Sequence, residues 1–328
     1  MSARLVAGLL RDPASAERVT DWTAILSAAR AESLAGSLAC RLEGLPLPAK
    51  VEALLEDARA AAEAGRTEAL WEAEMARRAL APLGVPVVLL KGSAFAAAGL
   101  SAGVGRSIGD LDILVPRAAL GEVERALLAA GWEWVKEDAY DDLYYRRWMH
   151  ELPPLIHCSR GRMIDVHHTI LPLTARPKPD AAALIADSLA LKNGLRVLSP
   201  EDMIVHAAAH LFADGDLAGG LRNLWDIDRL VRDFEGEGFW PRLEARAGRH
   251  GLLGAVRRAA RLAHTLYGTD VPDIWRGSDR WFEARLLARD GWGRETRPLV
   301  RLGFYARSHW LRMPPLMLAR HLWTKARR

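Results

Sequence analysis

An α+β fold, with a small mixed β-sheet between two helical segments, is predicted by three features of this 328-residue chain. The first 84 residues are dense in Ala, with Leu recurring at helical spacing. Short β-branched apolar runs crowd the stretch 85–171. Helix-start signals then return after Pro172. These changes of texture divide the chain into an N-terminal helical segment (1–84), an α+β core (85–171), a helical domain (172–296) and a C-terminal tail (297–328).

In the first segment, 50–83 reads as one long helix, ended by Gly84 and Pro86. The apolar run 85–90 predicts a buried strand, 93–100 a short helix, and 101–109, with Gly103, Gly105 and Gly109, a flexible loop. A second strand is predicted over 111–115, followed by a helix from Pro116 to about 130. Further strands are expected over 132–136, 143–150, 154–159 and 162–168, the last two joined by a turn at Ser159-Arg160-Gly161-Arg162. In the second half, Ser199 is placed to cap a helix that starts at Pro200, carries Glu201 and Asp202 in its first turn and reaches about 212. Another helix is expected over 221–234.

Half the residues are hydrophobic and 26% are charged, which fits a soluble globular protein. No apolar stretch of membrane-spanning length is free of charge, and the N-terminus lacks a signal-peptide pattern. Cys40 and Cys158 form neither a metal-ligand pair nor a disulfide framework, so a reducing cytoplasm is the expected compartment. Charge is uneven. The tail has eight Lys/Arg and no Asp or Glu, and removing those eight from 45 leaves 37 basic against 41 acidic residues in the body. With Trp310, Leu311, Met313, Leu316, Met317, Leu318, Leu322 and Trp323, the tail has the composition of an interfacial helix, interrupted at Pro314-Pro315. It reads as a helix docked on the body with its basic face in water, with contact to a membrane surface as the other reading. No nucleic-acid-binding motif is present.

Three features of the α+β core carry chemistry. Leu90-Lys91-Gly92-Ser93 follows a predicted strand, where a glycine lets backbone approach a ligand and the next helix offers free N–H groups. Asp110-Leu111-Asp112-Ile113-Leu114-Val115 places two carboxylates on one face of a strand and Leu111 and Ile113 on the other. Such a pair is either a solvated strand edge or a site for a hard divalent cation that relieves its repulsion. Met163-Ile164-Asp165-Val166-His167 adds a third acid in an apolar strand, as a two-metal site needs.

Together these residues resemble the nucleotidyltransferase (DNA-polymerase-β-like) superfamily, and within it the NTP_transf_5 family of poorly characterised bacterial proteins. The likeness runs over about 80–235. It includes Leu89 to Ala94, Arg106, Asp110 to Val115, His150-Glu151-Leu152-Pro153-Pro154-Leu155, Ile164 to His168, Leu198 to Asp202, His206, His210, Arg222 and Asp226. Sixteen residues separate Ser93 from Asp110, a longer gap than in the aminoglycoside-modifying members.

The resemblance implies Mg²⁺-dependent (or Mn²⁺-dependent) transfer of a nucleoside monophosphate from an NTP to an acceptor, a small molecule or a peptide, with release of pyrophosphate. It implies that Asp110 and Asp112 hold two ions, that Asp165 holds the one that activates the acceptor, and that Gly92 and Ser93 hold phosphates. Lys91 and Arg106 are candidates for triphosphate contacts. His167, His206, His210, Arg222 and Asp226 are candidates for the acceptor side, expected either to pair with one another or to face a polar cleft. A catalytically inactive binding module on the same fold and a zinc hydrolase using His206 and His210 are the alternatives. Neutralising Asp112 is expected to spare the fold and, without metal, to raise stability by removing repulsion.

Overall fold

The Ala-rich stretch folds as predicted into one helix of 32 residues, Ala49–Leu80. Its buried stripe runs through Val51, Leu55, Ala62, Ala69, Ala73, Ala76 and Leu80, and small side chains there let neighbouring helices pack closely. Gly84, in the left-handed region at φ 63°, then turns the chain into the sheet. The molecule is seen in a computed structural model that describes residues 2–136, 138–213, 215–275 and 277–312.

Seven strands form one mixed sheet: β1 (Val88–Leu89), β2 (Leu111–Leu114), β3 (Trp132–Trp134), β4 (Leu155–His157), β5 (Met163–His167), β6 (Leu189–Ala190) and β7 (Arg196–Val197). Their spatial order is β3-β4-β5-β2-β1-β7-β6. At the centre β2 and β5 run parallel, with Asp112 directly opposite Asp165 and Leu114 opposite His167. β1 is antiparallel to β2 and parallel to β7. All four residues of β2 are buried, Asp112 among them, as expected for a strand at the centre of a covered sheet. Helices flank the sheet, and one apolar core runs from Ala3 in the first helix through the strands to Phe304 in the last.

Two elements depart from the sequence reading. The stretch 143–150, expected as a strand, lies mostly in the helix Ala139–Trp148. Its Tyr and Trp residues favour strands in isolation, but Asp142 and Arg146 form an ion pair one helical turn apart. Arg146 also reaches Glu124 at 2.8 Å, docking the helix on its neighbour Leu120–Ala129. The second departure is β6–β7, a hairpin beyond residue 171 that supplies two strands to the sheet. Its turn contains Asn193-Gly194, with Gly194 at φ 85°, a recognised hairpin signal.

The Gly-rich loop is held from both sides. Ser101 N–H donates to Asp233 on the helix Gly220–Phe234, and Ser37 Oγ donates to the Val104 carbonyl. Gly36, on the helix Ala35–Arg41, meets Gly105 backbone to backbone: a Cβ on Gly36 would lie 2.5 Å from the Gly105 carbonyl oxygen. Gly105 also sits at φ 62°, where a side chain is strained. The tail begins as the helix Pro298–Arg312, with Phe304 buried and Leu299, Leu302 and Trp310 exposed. The remainder of the tail, 313–328, with Met313, Leu316, Met317, Leu318, Leu322 and Trp323, lies outside the described residues. Among the described residues no helix is long and apolar enough to cross a membrane.

Gly105→Ala should therefore lower unfolding free energy by about 2 kcal/mol or more, because both backbone strain and a rigid neighbour oppose the added methyl. The measurement is the urea midpoint against wild type. An unchanged midpoint would mean that Gly36 and Gly105 are not in contact.

Candidate active site

The parallel register of β2 and β5 sets the geometry. Directly opposed residues on parallel strands share a face, so Asp112 and Asp165 point the same way, and Asp110, two residues before Asp112, joins them. Ligand oxygens of Asp110, Asp112 and Asp165 all lie within 4.8 Å of one another. Asp110 is exposed, Asp165 half-buried and Asp112 buried. An all-oxygen set of this kind suits a hard divalent cation such as Mg²⁺.

Asp112 does not face this repulsion alone. Lys91 Nζ donates to Asp112 Oδ1 at 2.7 Å, and His167 Nε2 lies 2.9 Å from the same oxygen. Burial by itself would push the Asp112 carboxyl up, but the Lys91 ammonium and His167 outweigh burial and hold it well below the usual carboxylate range. Because an ionised carboxylate only accepts, His167 Nε2 must carry the hydrogen in this contact. Lys91 itself stands at φ 50°, unusual for a residue with a side chain, at the turn from β1 into the helix Lys91–Ala97. The ladder bond from Leu90 N–H to the Asp112 carbonyl, 3.0 Å, holds that turn beside β2. Burial pulls the Lys91 ammonium down in pKa, yet Asp112, Asp110 and Asp165 together leave it raised.

Asp165 carries the unrelieved charge. Burial, then Asp112, Glu151 and Asp110, push its carboxyl up to about 7. The expectation that neutralising Asp112 relieves repulsion is therefore corrected: Asp112 is paired, and its loss would leave Lys91 and His167 without their shared anion. Relief by neutralisation belongs to Asp165.

Gly92 and Ser93 are buried at the start of the helix after β1. Ser93 Oγ is buried without a hydrogen-bond partner, an orphan that a polar ligand could satisfy. A Cβ on Gly92 would fall 2.5 Å from Arg106 Nε, so the glycine is what lets Arg106 cross the strand end. Arg106 Nη1 donates to Asp226 Oδ2 at 2.6 Å, and its Nε has no partner. Asp226 also accepts from Arg222, whose Nη1 donates to Ser37 Oγ at 2.7 Å. Arg222 and Asp226 thus pair with each other, as their polar character on an apolar helix required, and they tie Arg106 to the helical second half.

His206 and His210 lie on the helix Pro200–Ala213. His206 is buried, and burial, followed by the charges of Lys91, His210 and His167, drives its pKa well below the usual value, so it is a neutral imidazole near the site. His210 Nδ1 lies 3.3 Å from Asn223 Nδ2. Among the described residues two groups are spaced to hold a metal ion, and neither includes His206 or His210. The second of these groups, His150, Glu151 and His167, was missed as a ligand set in the sequence. His150 ends a segment read as strand and Glu151 follows it, and nothing in their spacing to His167 marks a contact across 16 or 17 residues.

A family model described as an uncharacterised nucleotidyltransferase matches residues 18–268. No curated protein matches the chain. Among solved structures, the solution structure of the antibiotic-resistance factor ANT(2'')-Ia matches with a TM-score of 0.39 and 15% identity, covering 58% of this chain and 96% of that one.

The raised pKa of Asp165 has a consequence for stability. An acid whose pKa is higher folded than unfolded contributes stability below its unfolded value, 3.8, which is lost as pH rises through about 7. In protein stripped of metal, Asp165→Asn should therefore match wild type near pH 4 and exceed it above pH 7.5, by on the order of 2–4 kcal/mol. Thermal melts across pH in EDTA test this. A constant difference at all pH values would mean that Asp165 ionises normally.

Proposed function

The chain belongs to the family of uncharacterised nucleotidyltransferases that its sequence matches, and on that footing we propose that it transfers a nucleoside monophosphate from an NTP to a hydroxyl or phosphate acceptor. The observation that carries this reading is the convergence of Asp110, Asp112 and Asp165 on one face of two parallel strands, with a lysine ammonium already drawn to the centre. An acceptor oxygen attacks the α-phosphorus, the bond to the β-phosphate oxygen breaks, and pyrophosphate leaves with its electron pair.

Asp110, Asp112 and Asp165 are the residues assigned to hold Mg²⁺, or Mn²⁺, which when bound would neutralise the leaving pyrophosphate and make the acceptor oxygen a better nucleophile. Lys91, now paired to Asp112, can turn its ammonium to the triphosphate once a cation shares that carboxylate. Gly92 and the orphan hydroxyl of Ser93 are assigned to the phosphates. Arg106 offers its unpartnered Nε to the same groups, while Asp226 and Arg222 fix its orientation. His206 and His210, on the helix Pro200–Ala213, are assigned to the acceptor side, and His167 to holding Asp112.

The test is transfer of label from an α-phosphate-labelled NTP, with Mg²⁺, to small-molecule acceptors or to protein, with pyrophosphate measured in parallel. Label transfer and pyrophosphate should appear together and vanish in EDTA. Asp112→Asn and Asp165→Asn should each lower the rate by at least roughly 10³-fold while a non-hydrolysable NTP still binds in calorimetry. Nucleotide binding without pyrophosphate release for any acceptor would replace this reading with that of a binding module.

A further inference from the structure

We propose that His150, Glu151 and His167 form a second divalent-cation site, of the nitrogen-ligated Zn²⁺ class, next to the carboxylate site but chemically distinct from it. The inference does not depend on nucleotidyl transfer. His150, Glu151 and His167 offer two imidazole nitrogens and a carboxylate oxygen that all lie within 4.8 Å of one another. His167 Nδ1 is 3.2 Å from Glu151 Oε2, and His150 Nε2 is 3.7 Å from the same oxygen. Ligands around a tetrahedral Zn²⁺, at bond lengths of ~2.0–2.2 Å, stand about 3.3–3.5 Å apart. These two edges bracket that spacing, and the third lies within 4.8 Å.

Direction distinguishes this arrangement from an ordinary ion pair. At 3.2 Å His167 Nδ1 lies within hydrogen-bonding distance of Glu151 Oε2, yet no hydrogen bond forms between them and Nδ1 is buried without a hydrogen-bond partner. Its ring points past the carboxylate oxygen. Two groups that share a tetrahedral cation do this, because each aims at the ion and not at the other. On the opposite side of the same ring, Nε2 is committed to Asp112. Metal-bound histidines commonly hold a carboxylate with their second nitrogen in this way, which fixes the tautomer that leaves the first nitrogen's lone pair for the ion.

The scaffold is prebuilt. Glu151 forms a β-bridge with His167, Leu152 N–H donates to the Val166 carbonyl, and His168 N–H donates to the His150 carbonyl at 2.8 Å. Ligands set on such a ladder cannot drift apart independently. Three protein ligands leave the fourth position open, as in zinc sites that take water or substrate. Imidazole ligands select Zn²⁺, Co²⁺ or Ni²⁺ over Mg²⁺, so the two adjacent sites sort cations by ligand chemistry. Occupancy would lock His167 and, through its Nε2, the rotamer of Asp112.

Cobalt titration of the full chain, stripped of metal with EDTA, tests the proposal. One Co²⁺ per chain should show the intense visible bands of a four- or five-coordinate site, any Co²⁺ on the carboxylates adding only weak absorption. Zn²⁺ should bleach them, and excess Mg²⁺ should not. His150→Ala should remove the bands and weaken Co²⁺ binding by more than about tenfold, whereas Asp165→Asn should retain them. Circular dichroism checks folding, and Glu151→Gln gives the same readout if His150→Ala does not fold. Only the weak absorption of oxygen-ligated Co²⁺, or bands that persist in His150→Ala and Glu151→Gln, would overturn the site. His167 would then be a proton-bearing bridge between Asp112 and Glu151.

Discussion

Like charges forced together on neighbouring strands are the constraint around which the rest of the molecule is arranged. Parallel pairing of β2 with β5 opposes Asp112 to Asp165, and strand alternation brings Asp110 onto the same face. Two aligned carboxylates in a half-buried setting are costly unless cations approach. The chain supplies one from the end of β1, where Lys91 accepts an unusual backbone conformation to reach Asp112. It supplies a second partner from β5 itself, because His167 shares the face of Asp165. Burial first, and then the repulsion left over, push the Asp165 carboxyl up to about 7. A carboxylate cluster left in this imbalance is one that a divalent cation would relieve.

A second buried network fixes the loop that approaches the carboxylates. Arg106 leaves the Gly-rich segment, passes over Gly92 and ends on Asp226, which Arg222 also holds. Arg222 continues to Ser37, and Ser37 returns to the backbone of the same loop at Val104. The N-terminal helices, the 101–109 loop and the helical second half are thus joined by one chain of hydrogen bonds, and an apolar core joins them to the sheet. Removing one member of such a network strands the others in a medium with little water to replace them. Arg222 and Asp226 hold Arg106, and the 101–109 loop is held between the helices Ala35–Arg41 and Gly220–Phe234.

How much was legible in the sequence follows from the range of each interaction. The helix Ala49–Leu80, β2, β5 and the helix start at Ser199-Pro200 are written in local periodicity and capping, so their expected and observed bounds nearly coincide, whereas only Val88–Leu89 of the apolar run 85–90 pairs as β1. The helix Ala139–Trp148 was not, because its aromatic residues favour strands while its stabilising pairs, Arg146 with Glu124 above all, reach across the fold. The β6–β7 hairpin was passed over although Asn193-Gly194 marks its turn: its strands are two residues each and Leu189 and Ala190 are exposed, so no alternating pattern appears.

The sequence by itself determined that Asp110 and Asp112 share a face, because side chains alternate along any strand, and that Gly92 and Ser93 follow a buried strand into a helix. It also set the α+β order of the elements, through changes in apolar periodicity. Only the tertiary structure decided that Asp165 meets Asp112 and not the opposite face, since a shift of one residue in the β2–β5 register would reverse every side chain. It alone decided that Lys91 pairs with Asp112 and His167 hydrogen-bonds to it, that Arg106 is committed to Asp226, and that His150 and Glu151 stand beside His167. Each of these depends on distance between strands or helices far apart in the chain, and spacing along a sequence carries no information about that distance until register and packing are fixed.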